Sequence, residues 1–299
     1  MTQDISPLTD KKSIKSQFFI RLFRSKTALI ASVILLLVCF SAIFAPIVAQ
    51  KDPASLSLMR RLKAPGFVEK STNLQFILGT DTLGRDVFSR LVYGARISLV
   101  VGLSAVLLSG TIGILLGLIA GYFGGVTDSI IMRIADIQLS FPTILLALAI
   151  MAILGPGLEK LILVLGLTGW VQYGRIVRGQ VLSIKQEEFI LAARATGERN
   201  WSIILQQILP NIWSPIIVIA SFSVASNIIS EASLSFLGVG VPPQIPSWGI
   251  MLSEGRQYVG IAEWLTIPAG LAISFTVLSI NIIGDWIRDY LDPKLKNIM

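Results

Sequence analysis

The stretch that decides the reading is Gln186-Glu187-Glu188-Phe189-Ile190-Leu191-Ala192-Ala193-Arg194-Ala195-Thr196-Gly197, followed by Glu198-Arg199-Asn200-Trp201-Ser202-Ile203-Ile204-Leu205-Gln206-Gln207-Ile208-Leu209-Pro210. Trp201, Ile204, Leu205 and Ile208 recur at i, i+3, i+4 and i+7, the spacing of one apolar helix face. The run is too short to cross a bilayer core, which takes about 20 apolar residues. Gly197 stands where a helix-ending glycine stands and divides this run from a shorter helix before it. Pro210 stands where a new helix can begin. Two short helices with an apolar face need either a partner's groove or the surface of a bilayer.

On both sides of this segment the chain is apolar. Hydrophobic residues make up 53% of the 299 and charged residues only 14%, against about a quarter charged in soluble domains; the mean hydropathy is +0.74. An ordinary soluble enzyme is excluded. Gaps between charges locate the spans. Lys26 to Lys51 encloses 24 uncharged residues, longer than a signal-peptide core, and reads as an uncleaved helix over 27–48. Arg96 to Asp128 encloses 31 and gives a second helix ending in Gly121-Tyr122-Phe123-Gly124-Gly125; Asp136 to Glu159 encloses 22 and gives a third, starting near Asp128. A fourth covers 158–177 with snorkelling end charges, a fifth 211–236 and a sixth 264–284. Gly238, Gly240, Pro242, Pro243 and Pro246 make the stretch after the fifth a loop, re-entrant or at the membrane edge. The expectation is an all-α membrane protein of six transmembrane helices.

Lys and Arg collect on the cytoplasmic side of membrane proteins. Lys11, Lys12, Lys15, Arg21, Arg24 and Lys26 precede the first helix, and Arg288, Lys294 and Lys296 follow the last. Arg175, Arg178, Lys185, Arg194 and Arg199 surround the opening stretch. All three groups read as cytoplasmic, against the basic residues of 49–95. The net charge of +7 is of this kind. No aromatic-plus-basic platform accompanies it, so no nucleic-acid partner is expected.

The chemistry available is sparse. Histidine is absent and Cys39 is the only cysteine, so histidine bases, His or Cys metal sites and intrachain disulfides are excluded. No G-x-x-x-x-G-K-[ST] occurs, so any ATP hydrolysis belongs to another chain. We expect no catalytic, cofactor-binding or metal-binding residues. An intramembrane hydrolase would need paired catalytic groups, and only Glu231 and scattered serines are on offer. Glu231, about 20 residues into the fifth helix, reads as lining a pathway or gate, with Asn227 one turn earlier, or as a structural group. Arg133 and Asp136 at i, i+3 read as neutralising each other. Gly113, Gly117 and Gly121 read as a close helix contact.

Ala192-Ala193, Gly197 and Ile208-Leu209-Pro210 resemble the EAA loop of permeases in binding-protein-dependent ABC importers, with Leu191 where the family has Glu. Three further segments resemble the dipeptide/oligopeptide branch. They are Gly79-Thr80-Asp81-Thr82-Leu83-Gly84-Arg85-Asp86 with Ser89-Arg90, Ala232-Ser233-Leu234-Ser235-Phe236-Leu237-Gly238 with Pro246-Ser247-Trp248-Gly249, and Gly284-Asp285 with Arg288-Asp289 and Leu291-Asp292-Pro293-Lys294. The resemblance implies an ABC-importer permease core over 97–290, an N-terminal extension over 27–96 made of the first helix and an extracytoplasmic loop, and cytoplasmic tails at 1–26 and 291–299. It implies cytoplasmic coupling helices in which Leu191, Ala192, Ala193, Gly197, Trp201, Ile204, Leu205, Ile208 and Pro210 meet the ATPase. Asp81, Arg85, Asp86 and Arg90 either contact the binding protein or cap and pair at the start of the second helix. The implied partners are a second homologous permease, two ATP-binding subunits, an extracytoplasmic solute-binding protein and the lipid bilayer of a bacterial inner membrane, with both termini cytoplasmic. The implied function is import of di- or oligopeptides. The alternatives are nickel, glutathione or another small solute, or a stand-alone channel or secondary carrier.

Overall fold

A computed structural model describes residues 21–291. Lys11, Lys12, Lys15, Lys294 and Lys296, and most of both expected tails, lie outside the described residues. Helix α1 (Lys26–Ile43) starts on Ser25, whose Oγ accepts from the Ala28 N–H at 3.4 Å. The sequence predicts one helix to residue 48. It ends instead at Ile43, and a single turn, Ala45–Val48, follows with Pro46 near its start. A proline inside a helix has no N–H to give and crowds the carbonyl four residues back, which breaks the rod there.

Residues 49–86 hold two short strands that the all-α expectation left out. Strand β1 (Phe67–Glu69) pairs antiparallel with β2 (Leu74–Phe76), Phe67 opposite Phe76. Three residues are too few for an alternating pattern to be legible. Helix α2 (Val87–Phe123) then runs for 37 residues, about 55 Å at 1.5 Å per residue, well beyond a hydrocarbon core of about 30 Å. Asp86 caps it, Oδ2 accepting from the Ser89 N–H at 2.9 Å and from Ser89 Oγ at 2.6 Å.

The predicted third helix is broken. Helices α3 (Gly125–Leu139) and α4 (Thr143–Leu154) meet at 84°. Pro142 stands between them with ψ 127°, and proline disfavours the helical conformation in the residue before it, here Phe141. Helix α5 (Leu158–Ile184) continues past the expected end at 177, and α6 (Glu188–Ala195), α7 (Trp213–Phe236), α8 (Trp248–Gly255) and α9 (Ile267–Leu291) complete the chain. By length and composition, four of the described helices (α1, α2, α7 and α9) are suited to cross a membrane, and the bent α3–α4 pair makes five if it counts as one span. Helix α5 is as long, but it carries Glu159, Lys160, Arg175 and Arg178.

The tightest packing joins α2 to α5. A Cβ on Gly113 would lie 2.5 Å from Tyr173 Cβ, one on Gly117 2.6 Å from the Gly174 carbonyl, and one on Gly121 2.7 Å from Val181 Cβ. The four-residue glycine spacing thus marks a backbone contact, as the sequence predicts. On its other side α2 packs with α7 and α9 through Leu99, Ile228, Ala269 and Ile280. The loop before α2 and helix α8 sit at one end of this body; α6 and residues 200–211 sit at the other.

Candidate functional site

A cavity of about 590 Å³ opens between α4, α5 and α7, with Ser109 of α2 and Leu139 of α3 at its edges. Thr143, Thr168, Gln172, Ser226, Asn227 and Ser230 give its wall hydroxyls and amides; Arg175 is its single charged lining residue. Asn227 is where the sequence reading put it. Glu231 is not. Glu231 is fully buried, Oε2 accepting from Ser98 Oγ at 2.8 Å and Oε1 from Ser235 Oγ at 2.9 Å. Its side chain faces inward to α2, away from the cavity that Asn227 and Ser230 face, and its bonds are those of a structural group within the chain.

The elbow between α3 and α4 is fastened to α5 by polar groups that the sequence reading missed. Gln138 donates from Nε2 to the Thr168 carbonyl at 2.6 Å and accepts from Trp170 Nε1 at 2.9 Å. Asp136 pairs with Arg175 at 2.5 Å, in place of the expected partner Arg133. A helix neighbour three residues away is close in sequence, but a cation on the packed helix competes and here wins.

At one end lies the segment that resembles a coupling loop. Helix α6 closes with the Gly197 N–H donating to the Arg194 carbonyl at 3.1 Å and the Glu198 N–H donating to the Ala193 carbonyl at 3.1 Å. These are the two bonds of a Schellman cap, with Gly197 at φ +77°. The following run is not a plain α-helix. Asn200–Ser202 is helical, Ile203–Ile208 is π-helical and Leu209–Asn211 carries Pro210. A proline withholds the N–H that an α-turn would use, and the turn before it is widened.

The four residues of the expected apolar face divide in two. Ile204 and Ile208 are fully buried, packed with Ile190, Ile203, Val177 and Val181 inside the chain. They are part of the segment's own core, beneath its exposed face. Trp201 and Leu205 are more than half exposed, Leu191 is 49% exposed, and Ala192 and Pro210 are exposed, with Ala193 half-buried. The segment is tied to the end of α2 by Tyr122, whose hydroxyl bonds Asn200 Oδ1 at 2.9 Å while the Arg194 guanidinium stacks 4.9 Å above its ring.

At the opposite end Asp81, Arg85, Asp86 and Arg90 are all at least 94% buried. Asp81 Oδ2 accepts from Arg85 Nε at 2.6 Å and from Arg90 Nη1 at 2.5 Å. Glu254 of α8, which the sequence reading did not single out, accepts from Arg85 at 2.8 Å and from Arg90 at 2.5 Å. In the structure these four residues cap α2 and pair with one another and with Glu254. The signal in the sequence was a deficit: with Asp86 used as a helix cap, two arginines had one carboxylate between them.

Comparison with known proteins agrees with this architecture. The family described as binding-protein-dependent transport system inner membrane component matches residues 113–297, and the N-terminal TM domain of oligopeptide transport permease C matches residues 13–65. A dipeptide transport system permease protein DppC from Alkalihalophilus pseudofirmus is 43% identical, over 93% of this chain and 90% of the relative. The oligopeptide permease OppC of Bacillus subtilis is 40% identical over 92% and 88%, and the glutathione permease GsiD of Pectobacterium atrosepticum 40% over 97% and 96%. A solved structure of the MetNI methionine ABC transporter shares the fold, with a TM-score of 0.55 at 20% identity, over 68% of this chain and 96% of that one. The chain belongs to the binding-protein-dependent transport system inner membrane component family.

Proposed function

We propose that the chain is one of two permease subunits of a bacterial di- or oligopeptide importer, crossing the inner membrane six times with both termini cytoplasmic. The observation that carries this reading is the 43% identity, along 93% of the chain, with a dipeptide permease. In this reading 27–96 is an N-terminal extension ending in an extracytoplasmic cap, and 97–290 is the permease core. Helix α5 and the bent α3–α4 pair complete the six spans. The Arg21 guanidinium lies 5.7 Å from the centre of the Tyr290 ring, which supports a common side for the two ends of the described chain. The cavity beside α4, α5 and α7 is this subunit's half of the solute path. The hydrolysis of ATP takes place on two separate subunits, and a solute-binding protein delivers the cargo.

The contact with the ATP-binding subunit consists of Leu191, Ala192, Trp201 and Leu205, set on a rigid base of Ile190, Ile204 and Ile208. Burying such apolar surface contributes about 25 cal/mol per Å². Reconstituted in vesicles alone, the protein should move no peptide and hydrolyse no ATP; with the second permease, the ATP-binding subunits and the binding protein it should show ATP-dependent uptake. Trp201→Glu combined with Leu205→Glu should release the ATP-binding subunits and abolish uptake while the membrane domain stays folded. Flux of peptide through the lone chain down its own gradient would refute the reading in favour of a channel or carrier. A glutathione importer is the second reading, favoured by the near-complete overlap with the glutathione permease, and uptake of labelled glutathione in the same vesicles separates the two.

A further inference from the structure

The cavity's wall of hydroxyls and amides is neutral except at one point. Arg175 lines it from α5 and makes a single bond to protein, from Nη2 to Asp136 Oδ1 at 2.5 Å. Its side chain is 47% exposed and that of Asp136 54%, so within this chain the pair is half open and its net contribution is small. A guanidinium presents five N–H donors in a planar fork that matches a carboxylate two bonds at a time. The donors of Arg175 beyond that one bond have no protein partner among the described residues. The cavity therefore holds a cation that is neutralised weakly, on one edge, by a carboxylate that another carboxylate can replace.

Other charges near the path are committed elsewhere. Arg178, one turn along α5, is held by Asp128 through two bonds at 2.5 and 2.6 Å. Glu231 is sealed by Ser98 and Ser235. Among the described residues no carboxylate lines the cavity itself, so a negatively charged group entering it meets one cation, Arg175, and competes there with a single carboxylate, Asp136.

We propose that Arg175 receives the C-terminal carboxylate of the transported peptide, displacing Asp136, while the hydroxyls and amides of the wall solvate the peptide bonds without selecting side chains. The assignment deepens the peptide reading and rests on it. A path that grips the one group all linear peptides share, at one point, accepts many sequences.

The test uses the complete reconstituted importer with labelled dialanine and tetraalanine and with the C-terminal amide of each, the affinity of the binding protein for each being measured separately and divided out. Charged hydrogen bonds contribute about 1.5–3 kcal/mol, so Arg175→Gln should lower the ratio of free-acid to amide uptake about tenfold or more. Asp136→Asn breaks the same ion pair but keeps the cation, and it should preserve the preference for the free acid. Assembly is checked in both variants by ATPase activity stimulated by the binding protein. If wild-type vesicles take up neither dialanine nor tetraalanine with ATP, the peptide reading fails and this assignment with it. If they take up either, and the ratio is unchanged in Arg175→Gln or falls equally in Asp136→Asn, the assignment alone is overturned.

Discussion

Gly197 has φ +77°, and a Cβ there would meet nothing within 4 Å, so the position is demanding through its backbone and not through any clash. A left-handed conformation costs an L-residue about 1–2 kcal/mol, with Asn among the side chains that bear it best. Gly197→Ala and Gly197→Glu should therefore weaken attachment of the ATP-binding subunits by a similar factor, about fivefold to thirtyfold, whereas Gly197→Asn should be close to wild type in co-purification. Equal attachment in all three would show that the cap does not set the shape of the coupling segment. Glu231 teaches the opposite lesson at the same scale. An acid in an apolar helix was legible as special, and Ser235 at i+4 lies within its reach on the same helix, but Ser98 is 133 residues away and no spacing shows that it closes around the acid.

Between elements the decisive contact is the glycine face of α2 on α5. Replacing Gly117 by Leu puts side-chain atoms where the Gly174 carbonyl and Val177 already stand, since even a Cβ falls 2.6 and 2.8 Å from them. Overpacking of this kind costs about 1–3 kcal/mol. The detergent-solubilised complex should melt several degrees lower with Gly117→Leu, and should not do so with Gly179→Ala, because Gly179 on the facing helix α5 has nothing within 4 Å of its Cβ position. An unchanged melting temperature for Gly117→Leu would mean that the two helices stand farther apart than described. The glycine period was legible because close approach leaves only one residue type possible. The elbow at Pro142 was overlooked because its neighbours are uncharged on both sides, and charge gaps measure the length of an uncharged run without seeing a bend within it.

Taken as a whole, the molecule has its cap of loop and α8 at one end of α2 and its Gly197 segment at the other. Reporter fusions at Met299 and within 49–95 should accordingly report opposite sides of the membrane; the same side for both would refute the six-span topology. Apolar gaps located α1, α2, α7 and α9 and placed α5, and the pattern over 186–210 located the short helix closed by Gly197 and the helical run after it, because these are properties of contiguous sequence. The cavity wall and the Asp81 cluster join residues from distant parts of the chain, and no local pattern records which of them meet. That separation has a consequence for how the protein is made. Arg85 and Glu254 are 169 residues apart and Arg90 and Glu254 164, which at about 5–20 residues per second is roughly 8–35 s of translation. For that interval a nascent chain holds two arginines against Asp81 alone, at the mouth of a helix already inserted. The charge pairing is complete only when α8 has emerged, so a chain truncated before residue 254 leaves one arginine charge at this end of α2 uncompensated.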